Sequence, residues 1–168
     1  FAFRDILQNF LAGVLLLITQ PFVIGDQIVI DSYEGTIEEI ETRASMLRTF
    51  DGRRVVIPNT ELFTKAVTVS TAFAKRRSQY DVGIGYGDDV ELARRVMVEA
   101  MQAAEGVSAD PAPEVLLVDL AGSSANLRAR WWTESRSTDV THVADKVITA
   151  IKAALSRNGV DMPFPTQQ

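Results

Sequence analysis

A chain of 168 residues that is 46% hydrophobic can build one ordinary core or two small ones, which excludes a disordered tail. Its 17 Lys and Arg against 22 Asp and Glu leave a formal net charge of -5, the wrong sign for a duplex-binding surface that must displace counterions. With no cysteine, neither a disulfide framework nor a thiolate metal site can form.

The chain opens on Phe1, not Met, inside a helical pattern, and further residues are expected upstream. Phe3, Leu7, Phe10, Val14 and Leu17 recur at three- and four-residue steps as one apolar stripe, with Arg4, Asp5, Gln8, Asn9 and Ala12 opposite. From Leu15 the helix is apolar all round, and Pro21 ends it. The run "LAGVLLLI" is shorter than the ~20 residues of a free-standing membrane span. It also lacks the basic n-region and small-residue cleavage site of a signal peptide. Such a helix fits contact with lipid or with copies of itself, and equally the core of a soluble domain.

From Phe22 the period changes to two. "DQIVI", "GTIEEIE", "SMLRTF" and "RRVVI" read as short strands separated by turns at Asp31-Ser32, Thr42-Arg43 and Asp51-Gly52. Asp-Gly between two such runs predicts a two-residue type I′ hairpin, in which both central residues need positive φ. Pro58 stops the ladder, Asn59 is expected to cap a short turn through "TELF", and "AVTVS" supplies a last strand that closes a small barrel or sandwich. The one basic run, Lys75-Arg76-Arg77, follows, either as a solvated linker or as a rim charge beside an ion path.

The remainder alternates element types. "SQYDVGIGYG" reads as a strand and "DDVELARRVMVEAMQAAEG" as a helix, with Asp88 and Glu91 as its capping box and Gly106 at C′. Strands "EVLLVDLA" and "ANLRARWWTE" follow, then a long helix with Val143, Val147, Ile148, Ile151 and Leu155 inward and Gly159 as its stop. A last strand is expected at "VDMPF", which completes a ferredoxin-like split βαβ order. Trp131 and Trp132 point to opposite faces of their strand, one into the core and the other among Arg128 and Arg130, at a subunit contact or half exposed.

No constellation of catalytic residues emerges. Gly83, Gly85 and Gly87 are spaced G-x-G-x-G, not as a dinucleotide loop, and alternate glycines on a strand serve close backbone approach equally well. His142 is the only histidine, with no second imidazole for a metal and no nucleophile elbow for a triad. Glu34, Glu38, Glu39 and Glu41 read as a solvated face, not as an acid and base pair.

Three stretches carry a resemblance. "NFLAGVLLLITQPFVIGDQIVI" followed by "GTIEEIETRASMLRTFDGRRVVIPNTEL", and later "DLAGSSANLRARWW", are similar to the small-conductance mechanosensitive channel (MscS) family over essentially the whole chain. The resemblance implies an α+β chain: an amphipathic pore-lining helix over residues 1–20, a small Sm-like β-domain over 21–78, and a ferredoxin-like α/β vestibule domain over 79–168. It implies a homo-oligomeric ring, typically of seven, in the cell (inner) membrane, with residues 21–168 on the cytoplasmic side. The expected partners are the chain itself, the lipid bilayer, and permeating ions and small osmolytes, with no nucleic acid, no cofactor and no enzymatic activity.

Carried over by position, Phe1, Asp5, Asn9 and Gly13 fall on the pore helix, with Phe1 at or beside the apolar constriction. Pro21, Phe22 and Gly25 form the junction to the β-domain, and Arg48, Asp51, Gly52, Pro58 and Asn59 make up its signature block. Lys75, Arg76, Arg77 and Trp132 are expected at a portal or subunit contact. Asp5 departs from the family, standing where the best-known members have the glycine at which the helix kinks. The tension-sensing membrane helices are expected upstream of Phe1. The competing expectation is a soluble oligomeric Sm-like module that binds RNA or protein, against which the acidic composition and the lack of an RNP-type aromatic motif count.

Overall fold

The computed structural model describes residues 1–163, which fall into two compact units, one of Phe1–Ala74 and one that begins at Lys75. The first begins with helix α1 (Ala2–Thr19), which ends where Gln20 turns left-handed (φ 46) and gives its N–H to the Leu16 carbonyl at 3.0 Å. Pro21, without an N–H, cannot extend the ladder.

Five antiparallel strands follow: β1 (Gln27–Ile30), β2 (Tyr33–Ile40), β3 (Ala44–Thr49), β4 (Arg54–Pro58) and β5 (Thr68–Val69), with the short helix α2 (Asn59–Thr64) before β5. Their order in the sheet is β4-β3-β2-β1-β5, so among the described residues β4 and β5 are its edges. Alternation places Ile28, Ile30, Ile37, Leu47 and Ile57 on the buried face, where Leu16, Phe22 and Leu62 complete the core. Burying Leu16 contributes about 2 kcal/mol, which makes α1 an integral part of this unit.

The Asp51-Gly52 turn differs from the expected two-residue hairpin. The Thr49 N–H donates to the Arg53 carbonyl at 2.8 Å and the Gly52 N–H to the Thr49 carbonyl at 3.0 Å, a three-residue loop in which Gly52 (φ 86) alone is left-handed. Thr49 is the cause. Its hydroxyl accepts the Arg53 N–H at 2.9 Å and donates to the Asp51 carboxylate, which holds Asp51 at negative φ.

The second unit runs β6 (Lys75–Ile84), α3 (Val90–Ala103), β7 (Glu114–Leu120), β8 (Ala125–Glu134), α4 (Ser137–Arg157). The sheet order is β6-β8-β7, and both helices pack on one of its faces around Met97, Met101, Leu127, Trp131, Ile151 and Leu155. Helix α3 is capped by Asp89, whose carboxylate accepts from the Glu91 and Leu92 N–H groups, and not by Asp88. Asp88 is occupied elsewhere, accepting from the Gly85 and Asp161 N–H groups at 3.1 and 3.0 Å.

Nor does Gly106 sit at C′. It lies two residues past the Ala104 cap with φ 95, where a Cβ would meet Val143 Cγ2 at 2.4 Å. Residues 160–163 of the expected last strand are not in a strand, and Phe164 lies outside the described residues. The Gly85 N–H nevertheless reaches the Asp161 carbonyl at 3.1 Å, so this segment runs past the end of β6.

Candidate functional site

The face of α1 that packs on its own unit is the small and polar one. Ala12, Gly13 and Leu16 are buried, whereas Phe3, Leu7, Phe10 and Leu17 of the apolar stripe are exposed, Phe3 to 77%. Of the readings the periodicity leaves open, the stripe is not the face packed within the chain. The cause is steric, because the contact runs backbone to backbone and only small residues allow it. A Cβ on Gly13 would sit 2.5 Å from Asn59 Nδ2 and 3.3 Å from both the Glu41 and Thr42 carbonyl oxygens.

Asn59 is the centre of this contact. Its side chain is fully buried, donates from Nδ2 to the Glu41 carbonyl at 2.8 Å and accepts at Oδ1 from the Ser45 hydroxyl at 2.7 Å. It therefore ties the start of α2 to β3 and the β2–β3 turn, and is not the cap of its own helix. That capping role passes to Asn9, fifty-one residues upstream of Thr60, whose Oδ1 accepts from the Thr60 N–H at 3.0 Å and the Thr60 hydroxyl at 2.9 Å. Asn9 Nδ2 meanwhile donates to the Asp5 carbonyl at 3.0 Å. One asparagine thus joins the pore-helix candidate to α2, and a second joins α2 to the sheet.

Below α1, Phe22 is buried in the core while Pro21 is exposed. Gly25 takes φ 95 and its N–H donates to the Ile37 carbonyl at 2.8 Å. Asp26 fixes the turn, its carboxylate accepting from the Val23 N–H at 2.8 Å and the Thr71 hydroxyl at 2.7 Å. On the hairpin, Arg48 pairs with Glu38 at 3.0 Å and Arg53 with Asp51 at 2.8 Å, both in solvent. The Thr49 hydroxyl and then the Arg53 guanidinium hold the Asp51 carboxyl below its ordinary range. Pro58, at the end of β4, pairs with Ala44.

In the second unit, Lys75, Arg76 and Arg77 are the first residues of β6, ladder members and not a linker. Lys75 Nζ donates to the Ser108 hydroxyl at 2.8 Å and to the Asp110 carbonyl. Trp131 is buried and Trp132 half-buried on the opposite face, in register with Arg77. The Arg128 guanidinium grips Asp81 with two hydrogen bonds of 2.7 and 2.8 Å and holds that carboxyl below its ordinary range. A depressed carboxyl contributes stability above its unfolded pKa of ~4 and loses it as pH falls through the lower folded value. Between about pH 5 and pH 3 the unfolding midpoint of the native chain should therefore fall further than that of Asp81→Asn, as circular dichroism melts will read.

Two family models match the chain: the mechanosensitive ion channel beta-domain over residues 5–68, and the mechanosensitive ion channel MscS C-terminal domain over residues 79–162. The chain belongs to the MscS family of mechanosensitive ion channels. An uncharacterized MscS family protein of Archaeoglobus fulgidus is 34% identical over 165 residues, covering 98% of this chain and 58% of the relative. The small-conductance mechanosensitive channel MscMJ of Methanocaldococcus jannaschii is 32% identical over 167 residues, covering 98% and 48%. The crystal structure of Helicobacter pylori MscS in its closed state superposes with a TM-score of 0.91 at 30% identity, over 99% of this chain and 66% of that one. This MscS chain thus spans roughly half to two thirds of the length of the proteins it matches.

The α+β architecture is that of the MscS family. The glycine-rich end of β6 offers no free phosphate cradle at Gly85, because its N–H is taken by Asp88 and Cβ-free approach at Gly83 serves Ser124 and Asn126. Thr60, Glu41 and Ser45 were not among the sequence-derived site residues, since hydroxyls and backbone carbonyls have no local pattern that marks a distant partner. For Thr60 a signal existed: a polar residue just after Pro-Asn at a helix start needs an acceptor for its N–H.

Proposed function

We propose that this chain is the lower pore helix, β-domain and vestibule wall of a channel that opens under membrane tension and releases ions and small osmolytes during hypo-osmotic shock. It works as a homo-oligomeric ring, a heptamer as the resemblance implies, in the cell membrane with residues 21–168 on the cytoplasmic side.

One observation carries the reading. Helix α1 is 18 residues long with a mean hydropathy of 1.4, long and apolar enough to cross a membrane, and buries only Ala12, Gly13 and Leu16 within its own chain. An uncovered apolar face of that size needs lipid or neighbouring copies of the helix. Around a ring axis, apolar side chains at the narrowest point gate by dewetting. Tension favours whichever conformer occupies more membrane area, a population shift that the Asn9 to Thr60 and Asn59 contacts transmit to the sheet.

The family resemblance assigns Phe1, which is exposed at the N-terminal end of α1, to the constriction or beside it. Phe1→Ser in the full-length protein should lower the opening tension in membrane patches, because a hydroxyl wets the constriction. An unchanged threshold would remove Phe1 from the gate, and a full-length protein without tension-activated current would remove the channel reading itself.

A further inference from the structure

Of the 18 residues of helix α1, only Arg4 and Asp5 are charged. Both lie in the stretch from Phe1 to Gln8, which its own unit leaves exposed throughout; Asn9 is the first residue to be half-buried. An ionisable side chain on a membrane helix needs a charge partner, a route to the interface, or water. Arg4 has a route, because its long stem carries the guanidinium toward the membrane boundary. Asp5 has none, since its carboxylate stands one methylene from the backbone. Nor does that carboxylate have a hydrogen-bond or ion-pair partner among the described residues: Asn9 Nδ2 reaches the Asp5 backbone carbonyl instead, at 3.0 Å. Adjacent helix residues are rotated by about 100°, so Arg4 does not share a side with Asp5. The Asp5 N–H donates to the Phe1 carbonyl at 3.3 Å, which sets Asp5 one helical turn from Phe1 on the same side of the helix. Water is the remaining surrounding for this carboxylate.

We infer that the Asp5 carboxylates of the assembled ring line its water-filled lumen and make the channel prefer cations over anions. The inference rests on the pore reading above and names the class of ion that the lumen favours. Ring symmetry repeats Asp5 at one level around the axis, and acidic rings of this kind select cations. Fixed negative charge against low-dielectric walls raises the local cation concentration and lowers that of anions. One turn from the apolar constriction the lumen is still narrow, and a permeating ion passes within reach of the ring's field. Because that field is screened over ~10 Å at 0.1 M salt but only ~3 Å at 1 M, the preference must weaken as salt rises.

The test uses the full-length protein in liposome patches, opened by tension, with a potassium chloride gradient across the patch. The reversal potential should give a potassium-to-chloride permeability ratio of about three or more near ~0.1 M salt, falling toward one near ~1 M. Asp5→Glu should keep the preference, Asp5→Asn should reduce it by about twofold or more, and Asp5→Lys should turn it toward chloride. A second readout works on channels that are already open. With Asp5→Cys as the only cysteine, an anionic methanethiosulfonate reagent should restore the cation preference and a cationic one should reverse it. A wild-type ratio at or below one, or a ratio that no change of charge at position 5 moves, overturns the role of Asp5 and leaves the channel reading standing. The second of these results is the one expected if Arg4 neutralises Asp5 across the ring. A protein without tension-activated current overturns both.

Discussion

Gly35→Val is expected to lower the stability of the Phe1–Ala74 unit by more than about 3 kcal/mol, the upper range for overpacking a tight site. Gly35 is buried on β2, paired on one side with Ile28 and on the other with Thr49. A Cβ there would sit 2.2 Å from the Arg48 carbonyl oxygen, 2.7 Å from its carbon and 2.9 Å from the Thr49 Cα. All three are backbone atoms, so no rotamer change relieves the clash, and β3 must move bodily. Moving β3 shifts Leu47 out of the core and strains the Thr49 turn that closes the hairpin. For a unit of this size the loss corresponds to a melting temperature lower by roughly 12 °C or more. Thermal unfolding followed by circular dichroism reads it, and a change below about 1 kcal/mol would mean that the sheet can open at Gly35 without cost.

Gly35 also marks where sequence reasoning stops. The period-two runs and the turn dipeptides are local, and they placed β1 to β4 within a residue or two, because a half-buried strand writes its burial into alternate positions. Why residue 35 is glycine is a statement about β3, which the local pattern cannot contain. Asp88 and Asp89 are a second instance. Both precede Val90 at capping distance, and only the return of residue 161 to β6 decides that Asp88 holds the Gly85 loop and Asp89 the helix.

Helix α1 shows where the local signal ends. Its periodicity correctly located the apolar stripe, but the spacing of apolar residues says which face is greasy and not what covers it. Within the chain the closest packing falls to Ala12 and Gly13, since backbone approach selects small side chains, and the greasy stripe is left over. That remainder of uncovered surface is itself the strongest physical argument for lipid or neighbouring copies. The Asn9 contact leaves no local signal, because its partner lies 51 residues away.

The second large effect is expected at Asn59, and its value lies in a double-mutant cycle with Gly13. Asn59→Ala removes both side-chain hydrogen bonds and leaves the Ser45 hydroxyl and the Glu41 carbonyl without the partner each has there. Ser45 is fully buried, so the combined cost is about 2–4 kcal/mol. Gly13→Ala alone drives a methyl to 2.5 Å from Asn59 Nδ2, which is pinned at its other end and cannot swing away, and should cost about 1–3 kcal/mol.

In the Asn59→Ala background that obstacle is gone, and the remaining close atoms are the Glu41 and Thr42 carbonyl oxygens at 3.3 Å. The added methyl then partly fills the space Asn59 vacates. The two substitutions should therefore be less damaging together than their sum by about 1 kcal/mol or more, an interaction typical of residues in contact. Denaturant unfolding of the four variants measures this directly, and strict additivity would mean that α1 does not rest on Asn59. In full-length patch recordings the same pair separates stability from gating. If α1 passes its motion to the sheet through this contact, Asn59→Ala should change the opening tension or the closing kinetics even at a temperature where the variant is fully folded.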